Sequence, residues 1–250
     1  MINLKTTREL RYMRDAGKIS QEALLKAGEA VRPGVSTLEL DKIVRRTIEK
    51  AGAVPSFLGY GGFPASACIS VNNVVIHGIP SAHEILKEGD IVSIDVGAIY
   101  EGFNGDNAWT FPCGKVSEEA QKLMDATRES LFLAIEKAVP GNRIGDIGSA
   151  VQQYVEARNY SVVREFVGHG VGAKLHEDPS VPNYGTPGRG VRLLPGMTIA
   201  IEPMVTQGSC EVKILKDGWT TVTKDGKLAA HFEHSIAITP DDPVILTSLD

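Results

Sequence analysis

The sequence predicts an α/β protein whose two related halves, about 1–115 and 116–250, pack into one domain. Three observations carry this. Long segments with apolar residues at three- and four-residue steps alternate with short apolar runs bounded by Gly, Asn and Pro, the marks of helices and strands. The order helix, helix, strands occurs twice. Shifted by 107 positions, the chain also meets itself: Glu22 falls on Glu129, Leu24 on Leu131, Ala27 on Ala134, Pro33-Gly34 on Pro140-Gly141, Gly78 on Gly185, Pro80 on Pro187, Gly89 on Gly196 and Ile94 on Ile201. Shared composition yields far fewer matches than this. The register ends with Asp95 opposite Glu202, so acids are expected to meet where the halves face each other.

Thr7 to Val31 reads as the first helix: Leu10, Met13, Ile19, Ala23, Leu24 and Ala27 keep one face apolar, and Thr6 or Thr7 supplies the N-cap. Pro33-Gly34 ends it. Ser36 with Glu39 three residues on makes a capping box for a second helix running to about Ala51. A Gly-rich aromatic stretch follows from Phe57 to Pro64. Ala67 to Val71, Val74 to Ile76, Ile91 to Val96 and Ala108 to Phe111 are short apolar runs between turn residues, hence strands. In the second half Ser117 to Val139 is helical, Pro140-Gly141 breaks it, and Ile144 to Ala157 is helical again. Short strands run on to the end.

Of the 250 residues 42% are apolar and 23% charged, ordinary values for a folded globular chain that exclude disorder. The balance of 26 basic against 31 acidic residues, a net charge of −5, lacks the basic excess of a nucleic-acid binder. Cys68, Cys113 and Cys210 are odd in number and follow no metal-finger spacing, which suits a reducing compartment. The opening Met1-Ile2-Asn3-Leu4-Lys5 has no apolar signal core, and no window approaches the roughly 18 apolar residues of a membrane helix. The expectation is a soluble cytoplasmic protein without a membrane partner. With no long apolar stripe left over, a monomer is expected.

Four acids sit where acids are costly. Asp95 closes the run Ile91-Val92-Ser93-Ile94, sharing its face with Ile91 and Ser93. Asp106 lies eleven residues on, across a Gly-containing turn, a hairpin distance that brings the two side by side. Glu202 ends Thr198-Ile199-Ala200-Ile201, and Glu233 stands at the start of another strand pattern, His231 to Ile238. Taken singly, Asp95 reads equally well as a solvated strand end, and Asp106 reads more readily as a turn residue. Four acids in apolar strand context repel one another and raise each other's pKa unless cations sit among them, so the set points to metal.

His169, framed by Gly168, Gly170 and Gly172, is the imidazole most open to close approach. His77 and His176 have no metal-helix spacing and are not read as ligands. Four carboxylates and one imidazole, with no thiolate, suit two hard-to-borderline divalent ions, the general design of two-metal hydrolases. Spare His side chains would then position substrate and stabilise a tetrahedral intermediate.

With these residues assembled, the chain resembles the type I methionine aminopeptidases, in their short bacterial form, over nearly its whole length. Cys68-Ile69-Ser70-Val71-Asn72 with Val75-Ile76-His77-Gly78-Ile79-Pro80 carries part of the likeness, as do the Asp95 and Asp106 segments. Phe166-Val167-Gly168-His169-Gly170-Val171-Gly172 with His176-Glu177-Asp178-Pro179 and Pro182-Asn183-Tyr184 is the most specific piece. Ala200-Ile201-Glu202-Pro203-Met204 and His231-Phe232-Glu233-His234 complete it. The resemblance implies a pita-bread α/β fold, two pseudo-symmetric halves with outer helices on a curved, mostly antiparallel sheet. It also implies removal of the initiator Met from nascent proteins whose second residue is small and uncharged.

By position, the resemblance assigns Asp95, Asp106 and Glu233 to one divalent ion, and Asp106, His169, Glu202 and Glu233 to the other. The ions would be Fe(II), Mn(II), Co(II) or Zn(II). It makes Glu202 the general base, puts His77 on the scissile amide nitrogen, and puts His176 on the carbonyl oxygen or developing oxyanion. Tyr60, Phe63, Cys68 and Trp219, with Leu175 nearby, would enclose the Met side chain. Phe57, Leu175 and Gly61 stand where some members carry other residues, which touches the pocket rim and not the metal site. Nascent chains and a transient contact with the ribosome are the implied partners. The 33 residues from His169 to Glu202 are too few for the helical insertion of type II enzymes. Two rivals stay open. A Xaa-Pro dipeptidase shares the five ligands but usually adds a large N-terminal domain, and a non-catalytic ribosome-associated module of the same fold usually loses ligands.

Overall fold

Helix α1 (Thr7–Glu29) begins at Thr6, whose hydroxyl accepts from the Glu9 amide while the Glu9 carboxylate accepts from the Thr6 amide. Helix α2 (Thr37–Lys50) repeats the device with Ser36 and Glu39. Each box satisfies amides that a helix start otherwise leaves without partners. The coordinates are a computed structural model and describe residues 2–249; Met1 and Asp250, the ends of the expected domain, lie outside the described residues.

Strands β1 (Val54–Pro55), β2 (Ala67–Val71), β3 (Val74–Ile76), β4 (Ile91–Tyr100) and β5 (Phe103–Pro112) follow. The last two are longer than their apolar runs suggest. Glu101 and Gly102, both with positive φ (49° and 80°), close a two-residue turn that sets Tyr100 opposite Phe103. The polar residues Asn104 and Asp106 thereby enter the ladder. Helix α3 (Glu118–Ile135) is capped by Ser117 and stops short of the expected Val139. Pro140 disfavours helix just before it, and the chain leaves through tighter turns, Lys137 N to Ala134 O and Ala138 N to Ile135 O.

Helix α4 (Ile144–Glu156) leads into β6 (Ser161–Val162), β7 (Gly168–Gly170), β8 (Glu177–Val181), β9 (Thr198–Ile201) and β10 (Met204–Thr206). Then come β11 (Val212–Ile214), β12 (Thr221–Thr223), β13 (Ala229–His231), β14 (Glu233–Ala237) and β15 (Val244–Ile245). The single strand expected from His231 to Ile238 is thus divided at Phe232, where the chain passes from one sheet to another.

Among the described residues nine strands form the main sheet in the order β1-β4-β5-β14-β9-β7-β8, with β2 beside β4 and β15 beside β14, all antiparallel. Two three-stranded sheets, β13-β10-β6 and β11-β12-β3, flank it. The helices lie against one face. Leu24, Leu40, Val44 and Ile48 of α1 and α2 pack on Ile69, Val92, Ile94 and Val96. Leu123, Leu131, Ile147 and Val151 of α3 and α4 pack with Ile199, Ile201, Phe232 and Ile236. Helix α1 rests directly on β5: a Cβ added to Gly105 would stand 2.4 Å from the Gly17 amide nitrogen. Alternation leaves the other face of the central strands for polar residues. No helix among the described residues is long and apolar enough to cross a membrane.

Candidate metal centre and active-site cavity

Five neighbouring strands present the five expected ligands. Asp95 lies inside β4 rather than at its end, opposite Ala108, and Asp106 of β5 lies opposite Gly97. The two acids are therefore diagonal neighbours on one face of the hairpin. Glu233 opens β14 and also lies opposite Ala108. The small Ala108 methyl thus sits in the row between Asp95 and Glu233, where a larger side chain would fill the space they need. His169 is the middle residue of β7, opposite Ala200, and Glu202 follows the last residue of β9.

His169 Nε2 is 3.7 Å from Asp106 Oδ2 and 3.6 Å from Glu202 Oε1. Its Nδ1 meets the Gly170 carbonyl at 2.8 Å. A carbonyl only accepts, so Nδ1 carries the proton and the Nε2 lone pair faces the acids, the tautomer of a metal-ligating histidine. Ligand atoms of Asp106, His169 and Glu233 all lie within 4.8 Å of one another.

The electrostatics demand a cation. Burial holds the carboxyl groups of Asp95, Glu202 and Glu233 well above the ordinary range, and repulsion within the cluster, from Asp106 in every case, adds to it. Asp106 is pushed up to about 7, again by burial. Asp95 Oδ1, Asp106 Oδ1 and Glu233 Oε1 are buried with no hydrogen-bond partner. Unpaired buried carboxylate oxygens are costly, and hard oxygen donors with one imidazole are the donor set of a divalent ion. The residues fit the group. Burial also lowers the imidazoles, His77 and His169 to about 4 and His231 to about 3, with His176 moved the same way. All four are neutral near pH 7, the form that ligates or exchanges hydrogen bonds.

The acids floor a cavity of about 150 Å³. All twelve residues singled out in the sequence line it, and Phe57 joins them. Cys68 lies opposite Asp95 on β2 and links floor to wall. Phe57, Phe63, Cys68 and Leu175 form a buried apolar cluster closed by Trp219, whose ring meets Phe63 edge-on at 5.2 Å. Tyr60 stands apart from that cluster. It is 45% exposed, at the rim, and its hydroxyl is 2.7 Å from His176 Nδ1. The His176 ring lies 4.2 Å from that of His169. His77 follows β3 with φ of 59°, an uncommon conformation for a side-chain-bearing residue, and its ring meets Phe166 and Trp219 edge-on.

The sequence reading passed over one group. His231 is 2% exposed, and its Nε2 stands 3.6 Å from Glu202 Oε2 and 3.9 Å from Glu233 Oε2. The signal was there in His231-Phe232-Glu233: alternate residues share a side, so an inward Glu233 carries His231 inward with it. His234 points the other way, among Trp109 and Phe132, with Nδ1 2.9 Å from the Thr247 hydroxyl.

A family model described as Metallopeptidase family M24 matches residues 11–240. The chain belongs to that family. This M24 metallopeptidase is 59% identical over 247 residues to the methionine aminopeptidase of Clostridium perfringens, with 99% of each chain covered. It superposes on the crystal structure of methionine aminopeptidase from Thermotoga maritima with a TM-score of 0.98 and 47% identity, over 99% of this chain and 100% of that one. A prolidase from Pyrococcus furiosus, 23% identical, matches with a TM-score of 0.78 over 99% of this chain and 66% of its own. That likeness is one of fold, and it places this M24 chain in the pita-bread architecture with outer helices and an antiparallel sheet.

Proposed function

We propose that this M24 peptidase is a methionine aminopeptidase that removes the initiator Met from nascent proteins whose second residue is small and uncharged. One observation carries the reading: a buried acid cluster with orphaned oxygens floors a cavity whose wall is apolar and sulfur-compatible. About 150 Å³ is the size of a cavity that takes up benzene in another protein, so one unbranched side chain fits. The 59% identity to a methionine aminopeptidase supports the same substrate.

Asp95, Asp106 and Glu233 would hold one divalent ion, and Asp106, His169, Glu202 and Glu233 the other, with Fe(II), Mn(II), Co(II) or Zn(II) as the metal. Bound there, the pair supplies Lewis acidity toward the scissile carbonyl and lowers the pKa of water. The protein's own groups do the rest. Phe63, Cys68, Leu175 and Trp219 take the Met side chain out of water, and Tyr60 closes the rim. Glu202 accepts the proton of the attacking water as general base. His176, with Nδ1 engaged by Tyr60, is left with Nε2 to donate to the carbonyl oxygen as it gains charge. His77 holds the amide nitrogen that leaves. In the cell the partners are nascent chains, with transient contact at the ribosome, and the enzyme works as a cytoplasmic monomer.

The test is release of free Met from Met-Ala-Ser by protein stripped with chelator and titrated with Mn(II), Fe(II) or Co(II). Gly-Pro and Leu-Ala-Ser serve as controls. Metal-dependent release from the Met peptide alone is expected. Faster cleavage of Gly-Pro would move the protein to the Xaa-Pro dipeptidases, and silence with every metal would make it a binding module.

A further inference from the structure

We propose that His231 is a positioning residue that holds Glu202 by a hydrogen bond from Nε2 to Oε2, on the side of the acid cluster away from the cavity. The inference rests on the ligand set proposed above and adds a sixth group to it.

His231 cannot avoid the acids, because its backbone is clamped. The Thr110 hydroxyl accepts from the His231 amide at 3.0 Å and donates to the His231 carbonyl at 2.8 Å. That uses the only proton on the hydroxyl, so Ser93, 2.8 Å away, donates to Thr110 in turn. Ser93 and Thr110 lie opposite each other on β4 and β5, the hairpin that carries Asp95 and Asp106. On the other side His231 pairs with Met204, two residues beyond Glu202. The backbone of His231 is thus pinned between the two elements that present the acids.

Its Nε2 is buried and has no partner within hydrogen-bond distance. A buried ring nitrogen left without a partner is costly, and the nearest acceptor is Glu202 Oε2, a few tenths of an ångström too far at 3.6 Å. The two oxygens of Glu202 are divided between two imidazoles, Oε1 facing His169 and Oε2 facing His231. His231 itself does not line the cavity. It therefore acts on substrate only through the acids it faces, Glu202 first and Glu233 at 3.9 Å second, and would fix which Glu202 oxygen is offered to a bound ion. Outer partners of this kind commonly change metal affinity by 10- to 100-fold when removed.

The experiment is calorimetric titration of chelator-stripped full-length protein with Mn(II), with kcat and KM for Met-Ala-Ser measured in parallel. His231→Leu removes the donor, His231→Asn keeps a polar group without the reach, and His231→Gln keeps a donor of similar reach; circular dichroism checks folding of each. His231→Leu and His231→Asn are expected to bind Mn(II) about 10- to 100-fold more weakly and to lose kcat with KM within about twofold. His231→Gln is expected to stay close to the parent in both. Parental affinity in His231→Leu, or an affinity in His231→Gln as weak as in His231→Leu, overturns the proposal. Asp106→Asn separates it from the reading beneath it. Loss of binding in Asp106→Asn with parental binding in His231→Leu defeats the positioning role alone. Parental binding in Asp106→Asn defeats the ligand set and the positioning role together.

Discussion

At the cavity rim, the 2.7 Å contact between Tyr60 and His176 Nδ1 orients a ring that would otherwise turn freely about its side-chain bonds. His176→Ala removes the group proposed to meet the oxyanion while the acids behind it stay in place. The variant should fold, bind Mn(II) as the parent does, and lose turnover by about 10²-fold or more. Single-turnover and steady-state kinetics on Met-Ala-Ser check this, and an unchanged kcat removes the assigned role. Glu202→Gln strikes two functions at once, since the same carboxylate faces His169 and would serve as base; both metal affinity and kcat should fall, and a fully loaded, active variant would reassign the base. At this scale the site was legible where a residue breaks its context, as Asp95 does in an apolar run and His169 does among glycines. His231 breaks nothing locally. Its one local mark is the two-residue step to Glu233, and the clamp from Thr110, 121 positions away, which holds its backbone beside the acids, follows no spacing rule.

Among the elements, the segment ahead of α1 is tied to the His176 loop by Lys5 and Glu177, 2.5 Å apart with side chains 6% and 8% exposed. Glu177 also accepts from the Lys174 amide, which shapes the turn before His176. Lys5→Met leaves that carboxylate buried and unpaired and should cost about 3 kcal/mol. Lys26→Met breaks the exposed pair with Glu22 and should cost less than about 1 kcal/mol. Urea unfolding of the two variants measures the contrast.

The helix starts carry a pH signature. Hydrogen bonds from Thr6 and Ser36 hold Glu9 and Glu39 below the usual carboxylate range. A lowered folded pKa adds stability above the unfolded value that is lost as pH falls through the folded one. Ser36→Ala should therefore narrow its deficit against the parent as pH drops from 5 to 3, read by denaturant midpoints at each pH. Helices were legible from their caps, Thr6 and Ser36 above all. The ends of β4, β5 and α3 were not, because they depend on a partner strand or on a proline beyond the apolar pattern.

For the molecule as a whole, the acid cluster opposes its own assembly until cations join it. Mn(II) added to stripped protein at a hundredfold its Kd should stabilise the fold by about 2.7 kcal/mol, roughly 5–10 °C in Tm at this chain length. Differential scanning calorimetry across a metal series measures it, and a Tm indifferent to metal would detach the site from the stability of the sheet. The position of β14 has a consequence for synthesis. It lies between β5 and β9, and the chain reaches it only at Glu233, after every other proposed ligand. A chain emerging from its amino-terminal end can build the β4–β5 hairpin early, as leading segments do during translation. The sheet stays in two unjoined pieces until β14 arrives. Each new copy thus gains its full acid cluster only when its last strands are made, and until then earlier copies carry the activity.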